Sequence, residues 1–245
     1  QAPLFFLPSS PQTYRTTNSL SLTGGSGTGA VSFAVESGPG SLPDATHLTI
    51  TAGTGTVIVT ASHAADDLYE SATVTAQVAC AKASQSIVTN NIPFSADEEN
   101  PITVAVTNLY GLFGEASSGL PVAFSLVSGP AILTGGTNLS FTGSGRVEIR
   151  CSQAGDDNYL SASISHIFTV FKLEATVTLS NLAQFYDGTP KPASATTVPE
   201  GLGLFFTYDG DTNAPTEVGS YEVFCDVNDP VYIGSGTGTL VISYM

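Results

Sequence analysis

Three short turns of this chain concentrate the carboxylate and amide oxygens that calcium prefers as ligands. The turns hold equivalent places in a repeated pattern, and their residues are Asp66, Asp67, Asp156, Asp157, Asp226, Asn228 and Asp229. Their spacing does not match a regular calcium loop. A second interpretation stays open, because Asp and Asn also hydrogen-bond their own backbone in tight turns. Calcium is therefore the only cofactor that the sequence suggests.

Catalytic chemistry has little support in the sequence. The three histidines, His47, His63 and His166, are isolated, so no Ser–His–Asp grouping can be argued. No histidine or second cysteine lies at metal-ligand spacing from a cysteine. The strand patterns instead place the cysteines on apolar faces, which predicts free, buried thiols at Cys80, Cys151 and Cys225. We expect no enzyme.

A repeated stretch organises the chain and positions these turns. Residues Val57–Val74 return as Val147–Ile164, and a shortened form appears at Tyr221–Ser235. Each copy is a strand, an acidic turn, a tyrosine, small residues and the next strand. A repeat of this length corresponds to a small domain. The sequence predicts three domains, at residues 1–82 (first repeat), 83–172 (second repeat) and 173–245 (third repeat).

The composition favours many short strands joined by turns. The chain has 25 Gly and 14 Pro, and charged residues make up only 11% of it. Apolar residues alternate along several segments, as in half-buried strands. We predict an all-β protein of three tandem immunoglobulin-like β-sandwich domains. The links around Lys82 and Lys172 are short and lack flexible runs, which predicts a rod with limited hinge motion.

The second repeat is longer than the first, and the extra residues are expected near 109–116. Leu109–Phe113 is unusually apolar for a loop, so it must be covered by its own domain or by another subunit. Adjacent phenylalanines elsewhere should turn one ring outward from a strand. The resulting candidates for self-association are Leu109, Tyr110, Leu112, Phe113, Phe5, Phe6, Phe205 and Phe206.

Charge and hydropathy exclude two classes of partner. The formal net charge is −15, so nucleic acid and anionic membranes are disfavoured. No run of residues is apolar enough for a membrane span. The tyrosines Tyr69, Tyr159 and Tyr232 could form a sugar-stacking surface. More simply, each ring would pack over a domain edge, with its hydroxyl bonded to a loop carbonyl.

Several motifs resemble bacterial immunoglobulin-like repeats of very large secreted and cell-surface proteins. The third repeat looks like the MBG-type module of the same proteins. The motifs that carry these resemblances are Gly24–Phe33, Ser37–Pro39, Ala61–Tyr69, Ser118–Phe124, Ser152–Tyr159, Thr176–Leu182, Tyr186–Lys191, Ala214–Tyr221 and Val227–Tyr232. The resemblance implies an extracellular β-sandwich array on a bacterial surface, and it carries over no catalytic residue.

The expected function is therefore structural. The chain is expected to be a non-catalytic, extracellular subunit or segment of a bacterial surface fibre, stalk or surface layer. Its partners would be copies of itself or adjoining repeats of a longer chain. The alternative is an adhesin or carbohydrate-binding module, whose partner would be a glycan or a host ligand.

Overall fold

The computed structural model describes residues 2–90 and 102–245. These residues form strands, turns and loops with no helix among them, which confirms the all-β class. Strands of the first repeat are β1 (Leu4–Phe5), β2 (Gln12–Thr13), β3 (Thr17–Ser19), β4 (Thr23–Gly24), β5 (Val31–Ser37), β6 (Gly40–Asp44), β7 (His47–Ile50), β8 (Thr56–His63) and β9 (Ala72–Ala81).

The second and third repeats continue this pattern of short and long strands. Those of the second are β10 (Ile87–Asn90), β11 (Ile102–Ala105), β12 (Leu109–Gly111), β13 (Phe113–Ala116), β14 (Ala123–Ser128), β15 (Ala131–Thr134), β16 (Asn138–Phe141), β17 (Gly145–Gln153) and β18 (Ala162–Phe171). Those of the third are β19 (Leu173–Glu174), β20 (Thr176–Ser180), β21 (Ala183–Phe185), β22 (Ser194–Val198), β23 (Leu204–Tyr208), β24 (Gly219–Val227), β25 (Tyr232–Ile233) and β26 (Ser235–Ser243).

All three repeats contain the same four-stranded sheet. Its strand orders are β2-β9-β8-β5, β11-β18-β17-β14 and β21-β26-β24-β23, and the first strand of each pairs in parallel with its neighbour. The first two repeats add the three-stranded sheets β3-β7-β6 and β12-β16-β15. Seven strands in two such sheets make the immunoglobulin-like arrangement.

The third repeat has a smaller second sheet. Strand β22 pairs antiparallel with β20, and this sheet holds two strands only. Within the described chain, the other edge of β22 therefore has no strand beside it. An open sheet edge presents backbone donors and acceptors to solvent or to another chain.

Alternating burial along the long strands builds three hydrophobic clusters. In β8, Val57, Val59 and Ala61 are fully buried, whereas the intervening residues are partly exposed. Val147 and Ile149 of β17 repeat this pattern in the second cluster, and Val223 of β24 does so in the third. Each large apolar side chain withdrawn from water contributes roughly 1.5–3 kcal/mol.

The apolar segment at 109–116 is part of the sheets and not an insertion. Strand β12 pairs with β16 as β3 pairs with β7, so the first repeat has an equivalent strand. The chain between β10 and β11 is longer than that between β1 and β2. The extra residues of the second repeat therefore precede Ile102, which corrects the expected insertion near 109–116.

The third repeat has a tight turn at Asp187–Pro190. The Asp187 carboxylate accepts hydrogen bonds from the Thr189 amide at 2.9 Å and the Thr189 hydroxyl at 2.5 Å. Its second oxygen lies 2.5 Å from Lys191 Nζ. Gly188 has a φ of 79°, a conformation that glycine adopts without a steric cost. The carboxylate of Asp187 and the backbone of Gly188 together therefore shape this turn.

Contacts group the described residues into two compact units. The first contains Gln1–Thr89, Gly114–Ala123 and Cys151–Ile164, and the second contains Asn90–Phe113, Phe124–Arg150 and Ser165–Met245. The predicted division into three domains does not coincide with these units and stays a prediction.

Candidate functional site

The acidic turns contain the same hydrogen bonds in all three repeats. Oδ1 of Asp66 accepts the amides of Leu68 and Tyr69, each at 2.9 Å. The corresponding bonds join Asp156 to Asn158 and Tyr159, and Asp229 to Val231 and Tyr232. These aspartates hold their turns in shape, as the second interpretation of the sequence proposed.

The Asp66 carboxylate also closes the first turn. Its Oδ2 accepts the Thr28 amide at 2.6 Å. The backbone amide of Thr28, followed by those of Leu68 and Tyr69, lowers the pKa of Asp66 below its ordinary value of 3.8.

Three or more His, Cys, Asp or Glu side chains do not converge anywhere in the part of the chain that the structure describes. The remaining calcium candidates, Asp67, Asp157, Asp226 and Asn228, are exposed. Calcium binding stays a prediction.

The loop Asp156–Leu160 pairs with the segment that follows β9. The Ala83 amide donates to the Asn158 carbonyl at 2.8 Å, and the Leu160 amide donates to the Ala83 carbonyl at 2.9 Å. Lys82 Nζ donates to the Asp156 carbonyl at 2.5 Å. We call this arrangement the first joint. All its residues belong to the first compact unit.

Side chains from the first repeat complete the first joint. The Tyr159 ring packs edge-on against Tyr14, with centroids 5.4 Å apart, and its hydroxyl accepts a hydrogen bond from Arg15 Nη1 at 3.1 Å. The Gly53 amide donates to Asn158 Oδ1 at 2.9 Å. The Tyr159 hydroxyl thus bonds to a guanidinium, whereas the sequence predicted a loop carbonyl.

A second joint of the same design occurs within the second compact unit. Leu173 pairs in parallel with Tyr232, and its amide donates to the Val231 carbonyl at 2.8 Å. Lys172 Nζ donates to the Asp229 carbonyl at 2.6 Å, as Lys82 does at the first joint. Val231 also packs against the hydrophobic cluster of the second repeat. Two lysines at equivalent positions therefore hold two equivalent loops.

Sequence reasoning found the components of the joints but not their pairing. The acidic turns, the tyrosines and the two linking lysines were each identified, yet as separate features. The hydrogen-bonded atoms of Lys82 and Asp156 lie 74 positions apart in sequence, and those of Lys172 and Asp229 lie 57 apart. The available signal was that both lysines directly follow the last long strand of a repeat.

Burial divides the candidates for self-association. Phe6 and Leu112 are buried in hydrophobic clusters, so they offer no accessible surface, which corrects their selection. Tyr110 and Phe206 also pack against clusters, although they are only partly buried. The exposed members of the set are Phe5, Leu109, Phe113 and Phe205. Each adjacent phenylalanine pair thus has one outward ring, as a strand requires.

The cysteines are free thiols that are wholly or partly buried. Cys151 and Cys225 are fully buried, and Cys80 is partly buried against the first cluster. Burial raises the pKa of all three thiols, and the Asp226 charge adds to the effect at Cys225. These environments suit small core residues.

Comparison with known proteins identifies the third repeat. A family model described as "MBG domain" matches residues 175–245, which confirms the resemblance to MBG-type modules. A search of curated proteins gives no match. Among residues 2–90 and 102–245, no helix has the length and apolar character that crossing a bilayer requires.

Solved structures with tandem domains match over the whole chain at low similarity. Drosophila N-cadherin EC1-4 is 8% identical with a TM-score of 0.31, over 100% of this chain and 76% of that chain. The four N-terminal Ig domains of Dscam1 isoform 4.44 are 12% identical with a TM-score of 0.29, over 99% and 75%. Sidekick-1 immunoglobulin domains 1-4 are 11% identical with a TM-score of 0.26, over 99% and 76%. Similarity at this level says nothing about what the chain binds.

Proposed function

We propose that the chain is a non-catalytic structural segment of an extracellular bacterial fibre, stalk or surface layer. The observation that carries this proposal is the repeated joint. At two places, the residues after a long strand pair with the loop of the following repeat through the same backbone atoms and an equivalent lysine. Repeats that are held together in this way suit a protein that transmits tension along a fibre or acts as a spacer in a stalk.

The joints also occupy loops that a binding module would use. Loops at the ends of an immunoglobulin-like sandwich commonly carry recognition residues. Here Asn158 and Tyr159 contact Gly53 and Arg15, and Val231 packs on a hydrophobic cluster. These side chains are therefore already engaged within the chain. The MBG match at 175–245 supports the surface location, through the family resemblance of the motifs.

One observation favours the alternative, an adhesin or carbohydrate-binding module. A groove of about 580 Å³ is lined in part by β22, one edge of which has no strand beside it in the described chain. Its lining includes Ala195–Val198, Glu200 and Leu202. Such an edge can accept an extended peptide, and its polar groups can orient a small ligand.

Sedimentation velocity over a range of protein concentrations, combined with a glycan-array screen, separates the two functions. A structural segment is expected to associate with copies of itself and to bind no glycan. Electron microscopy of the native material should then show the chain within an assembled surface structure. Saturable glycan binding by a chain that stays monomeric at all concentrations would overturn the structural proposal.

A further inference from the structure

Arg150 lies on the outer face of the four-stranded sheet of the second repeat. Its strand, β17, buries Val147 and Ile149 on one side and leaves Arg150 exposed on the other. Ser125 and Val127 of the neighbouring strand β14 are exposed as well, since the residues between them pack against the hydrophobic cluster. The guanidinium therefore extends from a sheet face that a second molecule can approach.

The other bases of the described chain are already engaged. Lys82 and Lys172 donate to backbone carbonyls, and Lys191 lies beside a carboxylate. Arg15 donates to one tyrosine hydroxyl and lies over the ring of another tyrosine. Within residues 2–90 and 102–245, Arg150 is the one base whose charged group makes no hydrogen bond, ion pair or ring contact. Since the chain has 21 acids and only 6 bases, this guanidinium is complementary to carboxylates on another molecule.

The third repeat carries an exposed carboxylate beside two exposed aromatic rings. Asp226 of β24 lies directly opposite Phe205 of β23, and Phe224 lies two residues earlier on the same face of β24. The two phenylalanines are 50% and 42% exposed. Directly opposed residues of an antiparallel pair have Cβ atoms about 4.5–5.5 Å apart. A guanidinium can therefore bond to this carboxylate and stack on a neighbouring ring at the same time.

The corresponding sheet faces of the three repeats differ in chemistry. Each contains a long strand at the same place in the sheet, and its residue before the small core residue is Thr60, Arg150 or Phe224. The outward residues of β8 in the first repeat, such as Ile58 and Thr60, carry no charge. The free guanidinium thus belongs to the second repeat, and the carboxylate with its rings belongs to the third.

We infer that Arg150 of one copy of this chain binds Asp226 of a second copy, with its guanidinium stacked on Phe205 or Phe224. The occupant follows from charge complementarity between two exposed faces built by internal strands. No ion pair joins Arg150 to Asp226 among the described residues of one chain, so their contact brings two chains together. The two surfaces are different, and the contact is therefore heterologous and can propagate from copy to copy. This inference rests on the proposed structural function and names a self-association site for it.

Sedimentation velocity of the full chain tests the contact with charge reversals. Arg150→Asp and Asp226→Arg should each weaken association roughly three- to tenfold, because each replaces an attraction at an exposed site with a repulsion. Asp226→Arg also makes the negative chain less negative, which by itself would favour association. The matched control is Glu36→Arg, which makes the same change of charge on an exposed residue of β5 and should not weaken association.

A mixture of the two charge-reversal variants tests the pairing itself. Neither Arg150→Asp nor Asp226→Arg should associate well alone, since each brings like charges together at the contact. In the mixture, the two reversed residues attract each other, and the unchanged faces of the two variants also match. Recovery to the wild-type level would identify the partners and show that both variants are folded. A mixture that associates no better than the separate variants overturns the inference.

The same assay tests the aromatic part of the contact. Phe205→Ser removes a ring on which the guanidinium stacks and should weaken association, whereas Phe5→Ser, at another exposed phenylalanine, should not. Arg150→Lys keeps the charge but loses the stacking and the two-pronged hydrogen bond, so it should also weaken association. Equal effects of Phe205→Ser and Phe5→Ser overturn the inference.

Failure of this contact can be told apart from failure of the structural function. A chain that associates with itself but ignores every charge reversal overturns the inference and leaves the structural function standing. A chain that stays monomeric at all concentrations also overturns the inference. If that monomer binds a glycan saturably, the structural function is overturned with it.

Discussion

Substituting Gly53 with alanine should open the first joint without disturbing the second. Gly53 is buried, and a Cβ built there would lie 2.6 Å from the Asp157 carbonyl oxygen and 2.7 Å from the Asn158 Cα. Both atoms belong to the backbone, so rotation of a side chain cannot relieve the clash. Gly53 does not have a positive φ, and alanine therefore fits its own backbone conformation. The loop Asp156–Leu160 has to move away.

The expected magnitude follows from the hydrogen bonds that the displaced loop would lose. They join Gly53 to Asn158, Ala83 to Asn158, and Leu160 to Ala83. Each contributes about 0.5–1.5 kcal/mol net, so losing all three costs about 1.5–4.5 kcal/mol of local stability. Because 1.4 kcal/mol is about a factor of ten, the open population of the joint should rise at least roughly tenfold.

A lysine-specific protease reports this opening directly. Lys82–Ala83 lies in the first joint and Lys172–Leu173 lies in the second, so one digestion measures both. Cleavage that is slow relative to reclosing follows the open population. Gly53→Ala should therefore accelerate cleavage after Lys82 at least about tenfold and leave cleavage after Lys172 unchanged.

A matched glycine substitution controls for general destabilisation. No atom lies within 4 Å of a Cβ built at Gly111, so Gly111→Ala should leave both cleavage rates as they are. The reasoning is refuted if the protease cleaves the Gly53→Ala variant after Lys82 at the wild-type rate. It is also refuted if both sites accelerate equally, because the clash would then act on the whole fold.

Three further predictions concern titratable groups. Burial raises the pKa of the thiols of Cys80, Cys151 and Cys225, so a thiol reagent should label the native protein slowly. Cys80, which is only partly buried, should react first, and earlier labelling of Cys151 or Cys225 would contradict this order of burial. Hydrogen bonds from Lys191, and then from Thr189, lower the pKa of Asp187 to about 2, and Lys191→Met should raise it toward 3.8 in a carboxyl NMR titration; an unchanged value would show that the lysine has no effect. Burial lowers the pKa of His166 below 6.5, so the unfolded state takes up the proton first and the free energy of unfolding should fall as the pH drops below about 6.5. The melting temperature should therefore decline between pH 7.5 and 5.5, and His166→Leu should remove that decline. Parallel curves of melting temperature against pH for the wild type and the variant would contradict the prediction.

Local patterns in the sequence were sufficient for the fold class. Side chains alternate between the two faces of a strand, so the buried positions Val57, Val59 and Val147 follow from the residue types alone. The acidic turns and the turn at Asp187–Pro190 likewise depend on a few adjacent residues. Such signals need no knowledge of distant neighbours. They also predicted that one ring of each adjacent phenylalanine pair faces outward, but not which one.

Placing the apolar segment at 109–116 required the tertiary structure. Leu112 and Phe113 have the same apolar character, yet one is buried and the other is exposed. The equivalent strand in the first repeat, Thr17–Ser19, is polar, so the sequence shows no correspondence with Leu109–Gly111. Only the pairing of β12 with β16 shows that the two strands occupy the same place.

The sequence by itself determined the strands, the acidic turns and the repeat, because each depends on residues close together in the chain. The tertiary structure alone decided that the turns of the second and third repeats form joints. Those joints are made by backbone amides and carbonyls, which nearly every residue type has, so the sequence does not show which of them pair. Lys82 and Lys172 do take part in the joints through their side chains, but each bonds to a backbone carbonyl far along the chain.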